Sequence, residues 1–269
     1  MPIPGHDPRE TKMSRLSRWL LVLVLGGGLV SVSLADKLKI ATEAFYEPFA
    51  YKAADGTLVG FDIDITYALC DVMGAECEII EQDWDGLIPG LLAKKYDAII
   101  ASMSITPKRR KVVDFAGPYY KEPSKFYARK GSGLADTPAG LAGKKIGILR
   151  ATTFEDYLVK HFPDAVIKGY PTQDEVYLDL AAGRVEIGLG AGSAVEKGFL
   201  SKDAGKDFEF FGGTHWDDEI NGIGTGIPVR KEDTALRDRF NAAIKTLREN
   251  GTYKKINDKY FSFDIWGMD

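Results

Sequence analysis

Long apolar runs, cysteine and histidine are all scarce in this 269-residue chain, and each scarcity excludes something. The one long apolar run, Trp19–Val32, is broken by Gly26, Gly27, Gly28 and Ser31 and is too short for a convincing membrane span. Arg15 and Arg18 precede it and the small residues of Ser33-Leu34-Ala35 follow, which is the pattern of a secretory signal peptide over residues 1–35. Met13 is the expected start, because residues 1–12 are polar and add nothing to that signal. No cysteine stands at the expected cleavage point, so no lipid anchor is implied. The only cysteines, Cys70 and Cys77, lie seven apart, and in a secreted chain they read as a structural disulfide. Only His161 and His215 remain beyond the leader, too few ligands for a metal site. Positive charge is not in excess either. Removing residues 1–35 leaves 31 Lys and Arg against 37 Asp and Glu, a net charge near −6. That argues against nucleic acid or an anionic membrane as a partner. No sequence repeat or low-complexity tract is visible.

What remains is an ordinary globular composition, 45% hydrophobic and 28% charged, arranged as strand-like runs alternating with helical ones. Strands are expected at Leu38–Thr42, Leu58–Phe61 after an Asp55-Gly56 turn, Glu76–Ile80 and Asp97–Ala101. Helices are expected at Asp62–Met73 and Trp84–Leu92. Residues 115–124, punctuated by Gly117, Pro118 and Pro123, read as a crossing segment before a strand at Ser124–Arg129. The alternation then restarts, with strands at Lys145–Leu149, Ala165–Gly169 and Glu186–Leu189. Helices follow them at Thr153–His161, Gln173–Ala182 and Ser193–Leu200. An irregular acidic zone, Gly212–Gly224, leads to a strand at Thr225–Val229 and a long helix, Lys231–Asn250, stopped by Gly251. Alternation of this kind implies parallel, twisted α/β sheets. Two restarts and a return imply two lobes joined by two crossings. The first lobe comprises 36–120 and 220–269, the second 121–219, with a small-molecule site between them at the strand ends.

The stretch Ala98–Arg109 is the best local candidate for that site. An apolar strand runs into Ser102 and Ser104, then a helix start at Thr106-Pro107, where Thr is a good cap and Pro loses no needed amide. Free amides and the positive helix end suit an anion such as a carboxylate, and Arg109 in the first turn could grip it with two donors.

With these residues in register, the chain resembles the periplasmic substrate-binding proteins of ABC importers for polar amino acids, of the lysine/arginine/ornithine- and histidine-binding type. The resemblance covers Leu38 to Phe263. It rests on Tyr46-Glu-Pro-Phe49, Gly60-Phe-Asp-Ile-Asp64, Trp84-Asp-Gly-Leu-Ile-Pro89, Ser104-Ile-Thr-Pro-Lys-Arg109, Gly224-Thr-Gly226 and Gly251-Thr-Tyr253. It implies the two-lobed α/β fold of type II periplasmic binding proteins, with ligand in the cleft. It also implies a periplasmic location, a monomer, an inner-membrane ABC permease as partner, no cofactor, and a Cys70–Cys77 disulfide.

The resemblance further assigns the ligand carboxylate to Arg109 with Ser102 and Ser104, closed over by Thr153. Tyr46 and Trp84 match the aromatic walls around the ligand side chain, where a planar guanidinium stacks at about 0.5–2 kcal/mol per face. Glu43 falls where an acid receives a cationic side chain. One position departs from the pattern. Ala191, within Gly190-Ala191-Gly192, stands where the family carries an aspartate for the ligand α-ammonium. Either Glu43 or Glu155 substitutes, or the ligand lacks a free α-ammonium. Relatives that bind opines share the Glu, the Trp and an Ala-x-Met pattern like Ala101-Ser102-Met103. The expected ligand is therefore an arginine-like cation or an N-substituted derivative. A periplasmic dehydratase on this fold would need an acid in lobe two, where Gly-Ala-Gly stands, and no Ser–His or Cys–His arrangement is available. A sensory domain is a further possibility, against which no transmembrane or signalling segment follows Trp266, and the readings rank binding module, then sensor partner, then enzyme.

Overall fold

The computed structural model describes residues 36–267; the expected signal segment lies outside the described residues. Apolar alternation in Lys37–Thr42 buries Leu38 and Ile40 and places this strand inside a five-stranded sheet. The order across that sheet is Glu76–Glu81, Lys37–Thr42, Ala98–Ile99, Thr225–Val229, Asp114–Tyr120. A second five-stranded sheet runs Val166–Tyr170, Lys145–Leu149, Ile187–Ala191, Ser124–Arg129, Phe208–His215. A small three-stranded sheet (Phe45–Tyr46, Ala50–Lys52, Leu58–Val59) carries the Asp55-Gly56 turn.

Both large sheets are mixed rather than parallel. In the first, Thr225–Val229 runs antiparallel to both its neighbours. In the second, Ser124–Arg129 does the same. Each lobe therefore ends its parallel half with strands that carry the crossings between lobes. Two expectations are corrected here. Most of residues 115–124 is no irregular crossing: Asp114–Tyr120 is an edge strand of the first sheet, which can tolerate Pro118 because an edge needs fewer ladder donors. Part of the Gly212–Gly224 zone likewise belongs to the strand Phe208–His215, whose register slips between Phe211 and Thr214. The true links are short, Lys121–Pro123 going out and Trp216–Gly224 coming back. The expected Lys231–Asn250 helix runs Thr234–Glu249, and a further helix, Thr252–Tyr260, follows the left-handed Gly251.

The helices Phe61–Met73 and Thr234–Glu249 bury Phe61, Ile65 and Leu69 with Phe240, Ile244 and Leu247 against one face of the first sheet. The other face carries Ile99, Leu87, Leu91 and Phe115. The second sheet is filled by Phe126, Ile146, Ile148 and Leu158 on one side and by Tyr127, Tyr177 and Phe199 on the other. Cys70 and Cys77 form the expected disulfide, tying the helix Phe61–Met73 to the next strand.

Candidate ligand-binding site

The carboxyl ends of strands from both sheets meet at one cavity. Glu43 follows Lys37–Thr42, and Ala101 with Ser102 follows Ala98–Ile99. From the second sheet, Leu149 ends its strand and Thr152, Thr153 and Phe154 open the next helix. Tyr46, Trp84, Ser104 and Arg109 complete the wall. Eight of the ten expected ligand-binding residues thus lie around one space. Met103 does not: it is 2% exposed and packs in the apolar cluster with Trp84 and Leu87. Ala191 ends the strand Ile187–Ala191 and packs against the cluster that includes Tyr46, off this wall.

The helix carrying Arg109 is a single turn, Pro107–Arg110, with Thr106 accepting the Arg109 amide at 3.1 Å as its cap. The guanidinium donates to Ser104 O at 3.0 Å and, across the cleft, to Ala151 O at 3.4 Å. Its carbon lies 5.3 Å from the Trp84 ring centroid. No acid pairs with Arg109 among the described residues. Partial burial lowers its pKa to about 10, opposed by Asp156, so it stays cationic at neutral pH. A partly desolvated guanidinium held by carbonyls and a ring is left with charge to give to an anion. The helix Thr153–His161 faces the same space. Its cap residue Thr152 makes no side-chain cap bond, because its hydroxyl donates to Leu149 O at 2.6 Å. The first amides of this nine-residue helix are therefore free of a side-chain acceptor.

At the other end stands Glu43. It is 4% exposed and has no hydrogen-bond or ion-pair partner among the described residues. Burial, then the negative charges of Asp62, Asp174 and Asp83, push its carboxyl up to about 8. An acid so placed costs stability when ionised and is set to receive a cation. Tyr46 and Trp84 flank it. Trp84 is buried yet its Nε1 donates to Ala151 O at 3.3 Å, so it is at once a core residue and a wall of the cavity. Tyr46 stacks on Phe49 with centroids 5.5 Å apart.

Two acids missed by the sequence reading lie behind the wall rather than on it. Asp62, fully buried at the start of its helix, accepts from Ser102 Oγ at 2.9 Å and from Tyr119 Oη at 2.8 Å. It thereby fixes Ser102, which sits at φ 54. Burial raises Asp62 to about 6 against those bonds. The signal was available, since an Asp inside Gly60-Phe-Asp-Ile-Asp64 lies among apolar neighbours. The second acid, Glu122, lies in the outgoing link. Glu155, expected as one substitute acid, is turned back onto the Ala151 amide at 3.1 Å.

Two sheets joined by a double link, with a lone guanidinium and a lone buried carboxylate lining one interlobe cavity, define a two-lobed solute-binding protein. The chain belongs to the bacterial extracellular solute-binding proteins, family 3, whose profile matches residues 38–263. It is 46% identical over 236 residues to the L-arginine-binding protein of Pseudomonas aeruginosa, covering 87% of this chain and 91% of that one. It is 34% identical over 270 residues to the octopine-binding periplasmic protein of Rhizobium meliloti, covering 85% and 91%. Among solved structures, a Salmonella typhimurium periplasmic binding protein described for its high arginine specificity superposes with a TM-score of 0.79. That pair shares 36% identity, with 85% of this chain and all of the other covered.

Proposed function

We propose that the protein is the periplasmic solute-binding component of an ABC importer for a cationic amino acid of the arginine, lysine, ornithine or histidine class. In this reading it holds the ligand between lobe one (36–120 and 220–269) and lobe two (121–219) and hands it to a membrane permease. Arg109, Ser102, Ser104 and the amides at Thr152 and Thr153 hold the carboxylate. Tyr46 and Trp84 sandwich the side chain, and Glu43 takes its charge. The observation that carries the reading is Glu43: a buried carboxylate with no partner among the described residues, in one cavity with an arginine that no acid pairs there. Relatives named for arginine and histidine binding support the same ligand class. The reading is of a carrier rather than an enzyme, in keeping with relatives named as binding proteins.

Ala191 favours a second ligand within the same class, an arginine bearing a substituent on its α-nitrogen, and the octopine-binding relative is consistent with it. Thermal-shift screening against cationic, neutral and acidic amino acids and N-substituted arginines tests both. The reading expects stabilisation by the cationic set alone; stabilisation by acidic or small neutral amino acids contradicts it.

A further inference from the structure

Glu122 makes one hydrogen bond that another residue would ordinarily make. Ala191 is the N-cap of the short helix Gly192–Val195, which puts Ser193 at the second helical position. A cap side chain on residue 191 would accept from the amide at that position or the next. Alanine cannot, and the Ser193 amide donates instead to Glu122 Oε1 at 2.6 Å. A Cβ at Gly192 would lie 3.4 Å from the same oxygen. Glu122 therefore sets its carboxylate where an acidic cap on residue 191 would set its own, reaching it from the link between lobes. Ala191 pairs with Ser124, two residues past Glu122, so the strand pairing enforces the arrangement.

Capping accounts for one oxygen only. Oε2 is shut off from solvent and has no hydrogen-bond partner among the described residues. Lys125 is the nearby cation that favours the ionised form, but it does not approach within ion-pair distance. A glutamine would cap equally well with no charge to bury, so the second oxygen is unexplained by structure alone. Glu122 borders a neighbouring cavity with Lys125, Gly192 and Ser193, and its charge is felt at Tyr46 on the wall of the binding cavity. After burial, the charges of Glu122 and then Glu43 are the next causes that raise the Tyr46 phenol.

Resting on the amino-acid-carrier reading above, we propose that Glu122 is the acceptor for the ligand's α-ammonium, supplying from the link the charge that Ala191 lacks. A zwitterionic arginine then meets three charged groups, with Arg109 on its carboxylate, Glu43 on its guanidinium and Glu122 on its ammonium. The ligand class narrows to amino acids with a protonated α-nitrogen. Glu122 also joins the specificity-determining residues, and because it lies between the lobes, the ligand would tie the link itself.

The test titrates wild type, Glu122→Gln, Glu122→Asp and the double variant Glu122→Ala/Ala191→Asp by calorimetry. The ligands are L-arginine and 5-guanidinopentanoic acid, which is arginine without its α-amino group. Wild type should prefer arginine. Glu122→Gln, which keeps the cap, should weaken arginine by about 10- to 100-fold, the scale of a charged hydrogen bond, and leave the deamino compound unchanged. Glu122→Asp, one methylene short, should show a smaller loss with the same selectivity. The double variant should regain arginine binding. An equal loss for both ligands, no loss for either, or a wild type that binds both alike overturns the assignment and leaves the carrier reading standing. A wild type that binds neither ligand overturns the assignment, and failure to bind lysine, ornithine and histidine as well overturns the carrier reading.

Discussion

Arg150 Nε donates to Asp85 Oδ2 at 2.6 Å, joining the end of a lobe-two strand to the residue beside Trp84. With Lys108–Asp156 at 3.2 Å and Lys202–Glu47 at 3.0 Å, it is one of three ion pairs among the described residues that bridge the two sheets' halves of the molecule. All three are at least partly exposed, so each is worth at most about 1 kcal/mol. Pairs of this size are too weak to drive closure by themselves.

The carrier reading therefore predicts ligand-dependent closure. Small-angle scattering should show compaction when arginine is added, and ligand at about 100 to 1,000 times its dissociation constant should add about 3–4 kcal/mol of stability. Asp85→Ala should weaken arginine less than about 5-fold. No compaction with a ligand that demonstrably binds contradicts the clamp.

Removing the carboxylate anchor costs far more. Arg109→Ala should lose about 2–5 kcal/mol of binding, since the buried carboxylate would have no charged partner. Arg109→Lys should recover only part, because an ammonium cannot reproduce the forked contact. Unchanged affinity in Arg109→Ala, measured by calorimetry, would remove this residue from the site.

The pH dependence of the empty protein follows from Glu43. Its carboxyl titrates at about 8 in the fold against about 4.5 as a free group. Between those values the native state holds a proton that the unfolded state has lost, so stability falls as pH rises through this window. Melting temperatures of unliganded wild type from pH 5 to 8.5 should therefore decline more steeply than those of Glu43→Gln. The comparison cancels the other shifted groups, Glu122, Asp62 and His215. Parallel profiles would show that Glu43 is ionised and solvated in the empty site. Because a bound cation favours the ionised form, arginine binding at pH 7 should also release a proton.

Sequence patterning revealed the elements whose periodicity is uninterrupted, such as Lys37–Thr42, Phe61–Met73 and Gln173–Ala181. It failed where punctuation residues sit inside strands. Gly117 and Pro118 looked like a break, yet an edge strand accommodates them, and Gly212-Gly213 falls at a register slip. Antiparallel pairing was invisible for the same reason, since the strands that reverse direction border the links. At the site, residues close in sequence to the Ser104–Arg109 stretch were legible because helix-capping chemistry is local. Glu122 was not. Its role depends on Ser193, 71 positions away, and on an alanine whose significance is the side chain it lacks. Met103 packs into the apolar cluster beside Trp84, and a Met beside a binding loop carries no mark in the sequence that it points inward.

The central claim is that the cavity is built for a positively charged side chain, and the sharpest measurement compares L-arginine with L-citrulline by calorimetry at pH 7.5. The two share length and shape and differ in side-chain charge. Arginine should bind more tightly by at least about 2 kcal/mol, because its guanidinium lets Glu43 ionise into a charged pair while citrulline meets only the neutral carboxyl. Glu43→Gln should erase the difference. Equal affinity for the two ligands in wild type, or tighter binding of citrulline, would contradict the account.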